Sequence, residues 1–84
     1  MTTVSFQLNG EQMTLTVQQV RDAARSATPE PPRLHVVDVQ GSIYPVKQVF
    51  SAATGLDRLD FTTNQARTIL KRLGFKVTRV DEAE

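Results

Sequence analysis

The segment from Thr62 to Phe75 carries the start, the stop and the buried stripe of one helix, and the rest of the chain has to be arranged around it. Thr62-Thr63-Asn64-Gln65 has the spacing of a capping box, in which the Thr62 hydroxyl accepts from an amide of the first turn while Gln65 reaches back to the cap. Gly74 followed by Phe75 suits a Schellman ending, with the glycine in the left-handed region and Phe75 turned back towards Leu70. Ala66, Ile69, Leu70 and Leu73 recur at helical spacing, and such a stripe has to be buried against another layer.

The other elements follow from local signals. Val4, Phe6 and Leu8 alternate with Ser5, Gln7 and Asn9, and Met13 and Leu15 repeat the alternation after Asn9-Gly10. That dipeptide suits a type I′ turn, whose two central residues both need positive φ, so strands are expected near 3 to 9 and 12 to 16. Thr16-Val17-Gln18-Gln19 is a second capping box and predicts a helix from about 17 to 27, buried through Val17, Val20, Ala24 and Ala27. Pro29-Glu30-Pro31-Pro32 lacks the amides of a helix or central strand and reads as an extended connector inside one domain. Val36, Val37 and Val39 mark a strand over 33 to 39, which Ile43 and Tyr44 continue after a tight turn at Gln40-Gly41-Ser42. Pro45 suits the first position of a further helix, with Val46, Val49, Phe50 and Ala53 on its buried side and Gly55 as its stop. Residues 75 to 80 alternate as a closing strand. The expected fold is a single small α+β domain in the order ββαβααβ. It has a mainly antiparallel sheet and a helix-turn-helix-like pair followed by a strand.

Composition removes most enzyme classes. A chain of 84 residues buries only about 60 to 65% of its unfolded surface, which leaves a modest core and little room for a deep pocket. The absence of Cys excludes disulfides, a thiolate zinc site, a catalytic thiol and an iron–sulfur cluster, and the lone His35 supplies no His pair for a metal. His35 is expected as a packed or edge side chain of its strand. Asp57 and Asp60 flank Arg58 and are expected to form an Asx turn and a local ion pair. Neither Gly10 nor Gly41 sits in a nucleotide-binding fingerprint. Met1 to Phe6 has no secretory character, and no apolar run approaches the roughly 20 residues that span a bilayer. The expectation is a soluble cytoplasmic protein that is not an enzyme, carries no cofactor or metal and has no membrane partner.

Charge is the positive signal. The net value is only +1, yet from Phe61 to Val80 every charged side chain is a cation. On the helix that begins at Thr62, Asn64, Arg67, Thr68 and Lys71 project together opposite the apolar stripe. These residue types contact base edges or phosphates, and Arg72, Lys76 and Arg79 extend the surface. Double-stranded DNA is therefore the first expected partner. A second reading stays open, in which the domain is a partner or inhibitor of a nuclease or regulator and the outer strand of its hairpin pairs with another chain.

Residues 41 to 77 also carry an ordered pattern: Gly41-x-x-Tyr44-x-x-Lys47, then Ala52-Ala53-x-Gly55, then Asp60-Phe61-Thr62, and finally Leu70-x-x-Leu73-Gly74-Phe75-x-Val77. This resembles the N-terminal head module of modular HNH restriction endonucleases that cut methylated or phosphorothioated DNA. The resemblance implies a DNA-associated module with Tyr44 and Lys47 in its signature segment. At i and i+3 around the helix start the two share one side, which leaves two readings open: a phosphate contact through hydroxyl and ammonium, or a Tyr ring that covers the core edge with Lys47 snorkelling beside it. The chain departs from that pattern at Thr62-Thr63-Asn64, where a Ser-Gly-Gly-like stretch is usual. With a single His, the resemblance implies a head that binds and does not cut.

Overall fold

The computed structural model describes residues 2–31 and 34–80. Strands β1 (Thr3–Leu8) and β2 (Glu11–Thr16) form the N-terminal hairpin, followed by helix α1 (Val17–Ser26). Strands β3 (His35–Val39) and β4 (Ser42–Pro45) lead into α2 (Val46–Thr54), a 3-10 turn (Arg58–Asp60), α3 (Thr63–Arg72) and β5 (Lys76–Arg79). The expected α+β order holds, with β4 a strand of its own. All strand pairing is antiparallel, in one sheet of β1-β2 and a second ordered β4-β3-β5.

Local chemistry sets these elements. Asn9 and Gly10 both have positive φ (54° and 83°), as a type I′ turn demands. The β1–β2 register places Val4 opposite Leu15 and Phe6 opposite Met13. Gln40 and Gly41 repeat the conformation (φ 53° and 89°) between β3 and β4, where the Asp38 carboxylate accepts from the Gly41 amide at 2.9 Å. Both capping boxes are formed: the Thr16 and Thr62 hydroxyls accept from Gln19 N and Gln65 N, and each Gln side chain accepts from its cap amide. Pro45 is the N-cap of α2 and not its first residue, because its ψ of 138° is extended and completes β4. The Schellman ending of α3 is complete, with Phe75 N donating to Leu70 O and Gly74 N to Lys71 O.

The core lies between the hairpin, the helices and one face of the three-stranded sheet. Val37 pairs in register with Tyr44 on one side and Val77 on the other, and these three turn to the helices with Val39. Phe50 joins the parts: its ring centre lies 6.0 Å from that of Phe6 and 4.6 Å, edge to face, from that of Phe61. Gln48 is the one buried polar side chain among the described residues and is satisfied at both ends, donating to Thr28 O (2.7 Å) and accepting from Glu30 N (3.0 Å). That clamp, with the Arg58–Glu30 ion pair, ties the described part of the proline connector to α2 and the turn after it. The expected partner of Arg58 was a neighbouring aspartate. Asp57 instead accepts from Leu59 N in the expected Asx turn, which leaves Arg58 to reach Glu30. Proline 32 and residue 33, within the connector and the expected strand start, lie outside the described residues. Among the described residues no helix is long and apolar enough to cross a membrane.

Candidate nucleic-acid interface

Helix α3 presents the surface. Ala66, Ile69, Leu70 and Leu73 are buried, so the rest of its circumference is turned outwards, and ten residues make a helix about 15 Å long. Asn64, Thr68, Lys71 and Arg72 are exposed, while Arg67 is half-buried on the flank nearer β5. The Arg67 guanidinium donates through Nη1 to Asn64 Oδ1 at 3.0 Å, which fixes the two side chains relative to each other. Its Nε is buried and has no hydrogen-bond partner. Lys71 and Arg72 also sit in the last turn, where the helix dipole favours cations whatever else they do.

The expected outer face spans two shallow grooves. Asn64, Thr68 and Arg72 line one against Phe6 and Leu8 of β1. Arg67 and Lys71 line the other, of about 770 Å³, together with Arg79 of β5 and with His35. Lys76 stands at the opposite end of β5, in register with Asp38 of β3, in a separate depression that Gln18 and Arg21 also line. Lys47 is on neither flank of α3; its ammonium lies 5.4 Å from the centre of the Phe61 ring, a cation–π contact that anchors its stem.

Tyr44 does not belong to this surface. It is only 6% exposed, and its hydroxyl donates to Ala24 O at 3.0 Å, so the ring fills the space between β4 and α1. The phosphate contact expected of it is replaced by a core role, because its inward position opposite Val37 leaves the hydroxyl only a buried acceptor. Much of the signature that carried the resemblance is likewise structural: Gly41 and Gly55 supply positive φ, Phe61 is buried, Thr62 caps and Gly74 terminates. His35 was expected as a packed or edge residue; it is half-buried and borders two grooves. Its register partner is Arg79, a pairing that no local sequence pattern announces.

Two of the cations away from this face are paired. Arg58 is bound bidentately by Glu30 at 2.9 and 2.6 Å, and this hydrogen bonding holds its guanidinium above the ordinary arginine value despite partial desolvation. Arg25 lies 3.9 Å from Asp22. Among the described residues Arg67, Lys71, Arg72 and Lys76 take part in no salt bridge. No group of three or more His, Cys, Asp or Glu able to hold a metal occurs among the described residues. The arrangement can donate hydrogen bonds and positive charge to an extended anion. The connection from Gly55 to Thr62 holds the 3-10 turn, so α2 and α3 are joined by more than the three or four residues usual in a helix-turn-helix.

Fold and surface together define a small α+β domain whose helix α3 carries cations that take part in no salt bridge among the described residues. The chain belongs to the SCO5918-like family, whose model matches residues 11–84. No curated protein and no solved structure matches it.

Proposed function

We propose that this protein binds double-stranded DNA through α3 and β5 and performs no cleavage itself. One observation carries the reading: α3 and β5 contain no carboxylate of their own, and Arg67, Lys71, Arg72 and Lys76 take part in no salt bridge among the described residues. A helix about 15 Å long with polar ends outward is of a size that a DNA major groove, about 12 Å wide, accepts. Asn64, Arg67 and Thr68 then face base edges, while Lys71, Arg72 and Lys76 hold phosphates. Lys47 stands apart from α3 and takes a peripheral phosphate. The resemblance of residues 41 to 77 to a restriction-enzyme head supports a DNA-associated role, and a cytoplasmic location follows from it.

The test is a fluorescence-anisotropy titration of a labelled duplex at several salt concentrations. Three or four neutralised phosphates give a log–log slope of about −3 to −4, since each contributes about −0.9. Replacing Arg67 and Lys71 together by Ala weakens binding and shallows the slope, with little change in the thermal midpoint. Absence of binding at low salt, or binding that ignores salt, sinks the proposal.

A further inference from the structure

The three-stranded sheet is covered on one face only. Register and alternation place Leu34, Val36, Ile43, Pro45, Thr78 and Val80 on the face opposite the helices, with the charged pair Asp38 and Lys76 at the end of the sheet away from Leu34 and Val80. Leu34, Ile43 and Val80 are 48%, 47% and 39% exposed, and Val36 is buried among neighbours outside the main core cluster. Leu59, 92% exposed on its tied-down turn, is the remaining large exposed hydrophobic among the described residues. All four line two grooves that meet at Leu34 and His35. Scattered apolar side chains are ordinary on a protein surface, whereas a continuous apolar strip marks an interaction site.

The β5 edge runs along this strip. Among the described strands β5 pairs with β3 alone, and Val80 N donates to Leu34 O at 2.8 Å. Alternation then turns the Val77 amide to the outer edge of the strand. Beside that edge lie two chemistries: aliphatic side chains on the open face, and the Arg67 and Lys71 cations of α3 on the other.

We propose that β5 is a docking edge for an extended acidic segment of a partner protein, one whose carboxylates alternate with aliphatic residues. Added antiparallel or parallel to β5, such a segment turns every second side chain to the open face, onto Val80 and its neighbours. The intervening side chains point towards α3, where carboxylates meet Arg67 and Lys71. The same pattern disfavours a second copy of this chain, because its β5 carries only Lys76 and Arg79 as charged residues and brings no carboxylate to Arg67 and Lys71. Nucleic acid gains nothing from the aliphatic strip, whatever it gains from the cations beside it. Segment and DNA share Arg67 and Lys71 and so exclude each other, a consequence that alone rests on the reading above.

A library of short random peptides displayed on phage is selected against the full chain, and enriched sequences are resynthesised. The expected enrichment is Asp or Glu alternating with Leu, Ile or Val. Binding slows exchange of the Val77 amide. It is weakened at least about tenfold by Val80→Asp and by Lys71→Glu. Peptides with Lys in place of the carboxylates regain binding to the Lys71→Glu variant. Enriched peptides without carboxylates, binding that leaves Val77 exchange unchanged, or no enrichment overturns the proposal. So does partition of the chain onto vesicles containing anionic lipid in place of peptide binding, which makes the strip a membrane surface. Binding that appears only after residues 81–84 are removed assigns the edge to the chain's own acidic segment and overturns it as well. Loss of DNA binding in the separate anisotropy assay leaves all these outcomes readable.

Discussion

Tyr44 shows how one side chain changes meaning once its neighbours are known. Beside Lys47 in the sequence it reads as half of a phosphate clamp, yet its acceptor is Ala24 O, twenty residues upstream. No local pattern announces a hydrogen bond of that span. Tyr44→Phe removes a buried hydroxyl from an acceptor that also receives the Ala27 amide, so the loss is partial. We expect a cost of about 1 kcal/mol, read as a fall of several degrees in a thermal melt, with DNA affinity unchanged. Gln48 is the harsher position. Gln48→Leu strands Thr28 O and Glu30 N together, and about 2 to 3 kcal/mol is expected in the same measurement. Arg67 was legible as a helix-face cation but not as a half-buried one, because its burial comes from the strand that follows and not from the helix itself.

The elements whose chemistry is local were readable: both capping boxes, the Asn9-Gly10 turn and the Schellman ending at Gly74 appear where the spacing placed them. The turn at Gln40-Gly41 was harder to read as a hairpin, since Gln rarely occupies the left-handed region and Asp38 has to help by accepting from Gly41. The helical periodicity put Asn64, Arg67, Thr68 and Lys71 on one face, as observed. The division of that face between two grooves depends on β1 and β5, which periodicity cannot see. A methyl group added at Gly74 meets no obstruction, because nothing lies within 4 Å of the Cβ position; only the φ of 97° resists it. Gly74→Ala therefore costs about 1 kcal/mol through the backbone alone, and Thr62→Ala a similar amount through its lost cap. Chemical denaturation of the two single variants and the double variant tests this; independent ends of one helix give additive losses.

Across the whole molecule, stability and the proposed DNA binding are expected to respond to salt in opposite senses. The stabilising ion pairs among the described residues are exposed, whereas Arg67, Lys71 and Arg72 follow one another along α3 without salt-bridge partners among those residues. Added salt screens their mutual repulsion, so the melting midpoint is expected to hold or rise, by no more than about 1 kcal/mol, while DNA affinity falls. A midpoint that drops as salt is added contradicts this distribution of charge. The order of strands has a different consequence, for synthesis. β1 with β2, and β3 with β4, are neighbours in the chain and can close as soon as they emerge from the ribosome. β5 is the last of the described strands to be made and must return across α2 and α3 to the far side of β3. Until Lys76 to Arg79 have cleared the exit tunnel, Val37 has a strand on one side only, and the growing chain waits with the middle of its sheet bare.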